Sequence, residues 1–197
     1  MRMSAVIVAG GRSSRMGQEK AFTLIRGQSL LDRIVACLDP QAEEVVLNAN
    51  GDPSRFAPLQ LTVVADVRGG ICTPLAGLLT ALAHAAEKGC DAVLTVPSDT
   101  PFLPADLASR LAAASDESAI AASAGQPHYL TGLWRISLLP KLQRALDEKQ
   151  TPRLQDWVQL CHARLVEWSA EPYDPFFNVN TPEELAEAER IAAEFQL

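Results

Sequence analysis

No run in this 197-residue chain approaches the ~18 apolar residues needed to cross a membrane. Its N-terminus enters an apolar segment directly, without the basic, apolar and cleavage regions of a secretory signal, so the expectation is a cytoplasmic protein. Cysteine is sparse: Cys37, Cys72, Cys90 and Cys161 lie far apart and form no Cys-x-x-Cys pair. Neither a zinc site nor a disulfide framework is therefore indicated, and the four read as reduced thiols packed like small apolar side chains. Positive charge is short as well. A formal net charge of −7 argues against a nucleic-acid partner, which would require a basic face. No repeat or low-complexity linker interrupts the chain. Histidine is equally uninformative: His84, off its helix stripe, reads as a surface residue, and His128 and His162 as structural or surface groups.

A composition of 48% hydrophobic and 21% charged residues suits one globular domain over residues 1–197. The stretch from Ala5 to Lys20 organises it. Ala5 to Ala9 is a continuous apolar run, the pattern of a strand buried on both faces. Gly10-Gly11 follows, then Arg12, Ser13, Ser14, Arg15, Gly17 and Lys20. A strand that ends in glycines, hydroxyls and cations is suited to phosphate: bare backbone N–H groups approach the oxygens and the cations neutralise their charge. Two common phosphate loops do not fit. Gly11 and Gly17 are separated by five residues, where a P-loop has four, and adjacent Gly10-Gly11 breaks the dinucleotide fingerprint. Charge is uneven too: residues 1–35 hold six cations against two anions, and residues 167–197 hold eight anions against Arg190. A locally basic start in an acidic chain suits a small anionic ligand.

Downstream, Ser29 caps a predicted helix whose apolar positions Leu30, Leu31, Ile34, Val35 and Leu38 follow a 3.6 period, stopped by Pro40. Glu44 to Asn50 and Leu61 to Asp66 read as strands. Thr73-Pro74 starts a helix with Leu75, Leu78, Leu79, Leu82 and Ala86 on one stripe, and Ala92 to Val96 is the next strand. A helix is expected from Pro104, strands at 118–123 and 129–134, helices near 137–146 and 153–160, a strand near 164–168, and a last helix from Thr181-Pro182. This order predicts an α/β fold with a mostly parallel open sheet. In such sheets ligands bind beyond the carboxyl ends of the strands, where the glycine loop, Asn48, Asn50, Asp66 and Asp99 all fall. Asp99, after an apolar strand and between Pro97 and Pro101, is the leading carboxylate for a phosphate-bridging Mg²⁺, which typically uses one or two carboxylates and several waters.

Gly10, Gly11, Arg15, Met16, Gly17 and Lys20 stand where the nucleotidyltransferases of the nucleotide-diphospho-sugar transferase fold have Gly-Gly-x-x-x-Arg-Met-Gly-x-x-Lys. With Asn48-Ala-Asn50, Thr73-Pro-Leu-Ala-Gly77, Pro97-Ser-Asp-Thr-Pro-Phe-Leu-Pro104 and Phe177-Asn-Val-Asn-Thr-Pro-Glu-Glu-Leu185, nearly the whole chain resembles the molybdenum cofactor guanylyltransferases. Val8 stands where Leu is usual, Ser98 where Cys is frequent, and Thr73 in place of a glycine. The resemblance implies a three-layer α/β/α Rossmann-like sandwich. It further implies Mg²⁺-dependent transfer of GMP from GTP to the phosphate of molybdopterin or its molybdenum form, with release of pyrophosphate. Val8, Ala9, Gly10, Gly11, Lys20, Asn48, Asp66 and Asp99 would contact GTP, Asp99 would also hold the metal, and Asn178 and Asn180 would face the pterin. Arg15, Lys20 and Asp99 would carry the catalysis, by positioning and charge neutralisation rather than by a general base. Molybdoenzymes and other cofactor-biosynthesis proteins are the partners it suggests. The rival readings are a CTP-dependent enzyme acting on the same pterin, a sugar-phosphate nucleotidyltransferase, and a non-catalytic cofactor carrier.

Overall fold

A computed structural model describes residues 1–9, 22–68, 73–148 and 153–197. The glycine loop, with Gly10, Gly11, Arg15 and Lys20, and Cys72 lie outside those residues. The central strand is β1, Met3–Val8, buried from Ser4 onward. Its side chains alternate between faces, Ala5 and Ile7 joining one core and Val6 and Val8 the other, so no polar face is left. After the short strands β2 (Leu24–Ile25) and β3 (Gln28–Ser29) come β4 (Glu44–Asn48), β5 (Thr62–Val64), β6 (Ala92–Pro97), β7 (Ser118–Ser123), β8 (Gln126–Arg135) and β9 (Arg164–Trp168). Seven of these form one sheet in the order β5-β4-β1-β6-β8-β7-β9, with β8 antiparallel to both neighbours and the other pairings parallel.

Helices cover both faces. Against the first core pack α1 (Leu30–Leu38) through Leu31, Ile34 and Leu38, and α3 (Leu107–Ala114) through Leu107, Ala108 and Leu111. The second core takes α2 (Pro74–Glu87), α4 (Leu139–Asp147) and α5 (Leu154–Leu160). The result is the three-layer α/β/α arrangement. A third core joins α6 (Pro182–Glu194), through Ala188, Ile191 and Ala192, to Ile25, Leu30, Phe102 and Val179. It lies beneath the segment that follows β6.

Local chemistry explains the element ends. Ser29 caps α1, its Oγ accepting from the Asp32 N–H at 3.1 Å. Thr181 and Glu184 form a reciprocal capping box at the start of α6. Both β2–β3 and β7–β8 turn through two residues of positive φ, Arg26-Gly27 and Ala124-Gly125, the handedness that suits twisted hairpins.

Several expectations change. The helix expected from Pro104 begins at Leu107. Nine of the first residues of α2, from Leu75 to Leu82 and Ala85, are buried, so its apolar surface is no single stripe, and Ala86 is only partly covered. His84 is not a surface group. Its side chain is 11% exposed, with Nε2 3.0 Å from Glu44 Oε1. The basic N-terminal region is also less available than its count suggested: Arg2 pairs with Glu43 at 3.0 Å. Arg33 is buried, donating to the Ile25 carbonyl at 2.8 Å, and burial pushes its pKa down. Among the described residues, no helix is long and apolar enough to cross a membrane.

Candidate active site

Sheet register fixes the site. Val8 pairs with both Asn48 and Pro97, and Asn48 pairs with Val64, so four parallel strands end level with one another. Whatever follows these residues emerges on one edge: Ala9 after β1, Asn50 after β4, Asp66 after β5 and Asp99 after β6. The Ala9 N–H donates to the Asn48 carbonyl at 2.9 Å, carrying the pairing one residue further toward the glycine loop.

Asn48 is fully buried and turned into this edge. Its Nδ2 donates to the Val64 carbonyl at 3.1 Å and to Asp66 Oδ1 at 2.9 Å. The exposed Asn50 completes the bracket, Nδ2 donating to Asp66 Oδ2 at 2.7 Å while its Oδ1 accepts from the Asp66 N–H at 2.9 Å. Both oxygens of the Asp66 carboxylate are thus oriented by neutral amides, which fix direction without cancelling charge. Asn48 Oδ1 is buried with no hydrogen-bond partner among the described residues, and it faces Gly77. A Cβ at Gly77 would stand 2.5 Å from Val8 Cγ1 and 2.8 Å from Asn48 Oδ1. Only glycine lets α2 come this close to β1 and β4.

Asp99 is half-buried, and its carbonyl accepts from the Val179 N–H at 2.9 Å. That bond brings the C-terminal segment to the site and sets the exposed Asn178 and Asn180 on either side of buried Val179. Glu184 holds the same segment from α6, Oε2 accepting from the Asn180 N–H at 2.6 Å and the Thr181 N–H at 2.9 Å. Upstream, Phe176 is 1% exposed between the His128 ring at 4.6 Å and Trp168 at 5.4 Å. His128 Nε2 lies 2.7 Å from Ser123 Oγ, and burial pushes the His128 pKa down.

The structure therefore brings Val8, Ala9, Asn48, Asp66, Asp99, Asn178 and Asn180 to one edge, while Gly10, Gly11, Arg15 and Lys20 lie outside the described residues. Sequence reasoning did not find Thr80, whose Oγ accepts from the Val67 N–H at 3.0 Å, next to Asp66. The available signal was a lone hydroxyl in an apolar helix. Among the described residues no group of three or more His, Cys, Asp or Glu side chains is placed to hold a metal ion.

In mostly parallel open sheets ligands bind beyond the carboxyl ends of the strands, and here that edge gathers amides and carboxylates. A family model described as a MobA-like NTP transferase domain matches residues 5–165. The molybdenum cofactor guanylyltransferase of Nitrobacter hamburgensis is 44% identical over 195 residues, covering 95% of this chain and 93% of its own. That of Rhodobacter capsulatus is 44% identical over 193 residues, covering 96% of both. Among solved structures, the molybdopterin-guanine dinucleotide biosynthesis protein A of Archaeoglobus fulgidus superposes with a TM-score of 0.71 at 22% identity, covering 98% of this chain and 100% of its own. The 2-C-methyl-D-erythritol 4-phosphate cytidylyltransferase of Thermus thermophilus gives 0.67 at 20%, again over 98% and 100%. The chain belongs to the molybdenum cofactor guanylyltransferase family.

Proposed function

We propose that this chain transfers GMP from GTP to the terminal phosphate of molybdopterin, or of its molybdenum form, yielding the guanine dinucleotide and pyrophosphate. The observation that supports this best is the gathering of the family's motif residues on one carboxyl edge, with Asp99 tied by its backbone to the Asn178–Asn180 segment. A pterin phosphate oxygen forms the new bond to the α-phosphorus of GTP as the bond to the bridging β-phosphate oxygen breaks. This nucleophile is already ionised at neutral pH, so the chain's task is positioning and charge neutralisation. In this reading Gly10, Gly11, Arg15 and Lys20 take the phosphates, Val8, Ala9 and Asp66 the nucleoside side, and Asn178 and Asn180 the pterin. Asn48 orients Asp66 through its Nδ2, while its buried Oδ1, without a partner among the described residues, is the acceptor it would offer to GTP.

Asp99 suits Mg²⁺ as a single half-exposed carboxylate, because this ion completes its shell with substrate phosphates and water rather than a protein cage. When bound, Mg²⁺ would neutralise charge on the departing pyrophosphate. A cytoplasmic location is part of this reading, and molybdoenzymes or cofactor-biosynthesis proteins are the expected recipients or donors.

The test is to incubate the protein with molybdopterin, Mg²⁺ and each NTP in turn, and to identify products by mass. GTP alone is expected to give a dinucleotide with stoichiometric pyrophosphate. A cytidine dinucleotide would replace the guanylyl assignment, and nucleotide binding without pyrophosphate release would favour a carrier.

A further inference from the structure

Thr80 stands in α2 at 1% exposure, within a run of buried residues that includes Leu78, Leu79, Ala81 and Leu82. Packing alone would favour valine there. Its hydroxyl donates to the Ala76 carbonyl one turn earlier at 2.9 Å, a common helical bond. That donation fixes the proton and aims a lone pair outward, where it accepts the Val67 N–H across 13 residues of sequence at 3.0 Å. Val67 is the residue after Asp66, and its side chain is exposed, so core packing does not hold this segment. Asp66 is thus held by Asn48 and Asn50 at its carboxylate, by Asn50 at its own N–H, and by Thr80 at the next peptide.

We infer that Thr80 is a positioning residue for Asp66, with Asn50 as the second strut, so that both set the affinity for the nucleotide without acting on the chemical step. Buried beneath the loop, Thr80 touches no ligand; its influence passes through the Val67 peptide. This inference rests on the reading of Asp66 as a GTP contact and adds to it the device that aims the carboxylate.

Thr80→Val keeps the shape and removes both hydroxyl bonds, leaving the Val67 N–H without its acceptor. The expected result is a roughly tenfold rise in KM for GTP, about 1.4 kcal/mol, with kcat and the pterin KM within about twofold. Faster amide hydrogen exchange at Val67 accompanies it, and Thr80→Ser restores both values. Asn50→Ala, at an exposed position, shifts the GTP KM the same way and guards against a folding failure at Thr80. Asp66→Asn is measured beside them. In that background Thr80→Val should add nothing, since both changes act through one carboxylate. An unchanged GTP KM in Thr80→Val, or a uniform loss of kcat and both KM values, overturns the inference while leaving Asp66 in place. A normal GTP KM in Asp66→Asn removes the contact itself, and the inference falls with it.

Discussion

The two edges of the sheet carry similar side chains used in opposite ways. At the amino edge, Arg2 closes on Glu43, and Glu44 Oε1 is met by His84 Nε2 at 3.0 Å and the Ser4 hydroxyl at 2.9 Å. Ser4 in turn lies 3.2 Å from the Cys90 thiol. Here carboxylates face cations or a histidine, and the cluster ties β1, β4, α2 and the start of β6 together. At the carboxyl edge, Asp66 is met by the neutral amides of Asn48 and Asn50. A carboxylate closed on a guanidinium, as Glu43 is on Arg2, has its charge cancelled; one aimed by amides, as Asp66 is, keeps it. Polar clusters at sheet ends are thus not equivalent evidence for a site, and what distinguishes them is how the charge is satisfied.

Breaking the carboxyl edge should cost most at Asp99. Asp99→Asn keeps the turn-forming shape and removes the charge, so pyrophosphate release is expected to fall by roughly a hundredfold or more with Tm nearly unchanged. Wild-type turnover at saturating Mg²⁺ would reduce Asp99 to a turn residue.

Gly77→Ala attacks the same edge from below. Val8 sits in the central strand and Asn48 is fully buried, so neither can retreat from contacts of 2.5 and 2.8 Å. The expected cost is about 1–3 kcal/mol, a Tm loss of several degrees. Because Asn48 orients Asp66, a raised GTP KM should accompany it. A variant of full stability would show that α2 can shift freely.

Glu44→Gln makes the matching change at the amino edge. An amide at this position can still accept from His84 and Ser4, so a small Tm loss and unaltered kinetic constants are expected. A changed GTP KM would dissolve the contrast between the edges.

The smallest effect concerns His128. Its folded pKa lies below the ordinary 6.5 because burial disfavours the charged ring. Below 6.5 the unfolded chain takes the proton more readily, so this stability is present above that pH and is lost as pH falls. A slight fall in Tm on acidification is expected, flattened in His128→Phe. An identical acid slope in wild type and variant would remove His128 as its source.

Much of the frame was legible because it is local. The boundaries of β7 and β9 agree with the sequence expectation. Ser29 and Thr181-Pro182 announced their helices by capping chemistry alone. What failed depends on distant partners. His84 read as a surface residue because Glu44 lies 40 positions away. Arg33 counted toward a basic ligand site although the Ile25 carbonyl had claimed it. The Arg26-Gly27 hairpin lacks the usual Asn-Gly or Asp-Gly signal, and its Arg26 N–H is held by Glu189 from α6. At the site, residue types and the strand ends that carry them were readable; the inward turn of Asn48 and the Thr80 strut were not.

Amide hydrogen exchange with and without GTP and Mg²⁺ tests most directly which edge holds the nucleotide. Slowed exchange is predicted for peptides spanning Val8 to Ala9, Asn50, Asp66 to Val67 and Asp99, with no change at Ser4, Glu43 to Glu44 or Cys90 to Asp91. Protection confined to the amino edge, or spread evenly over both, would contradict a nucleotide site built on the ends of β1, β4, β5 and β6.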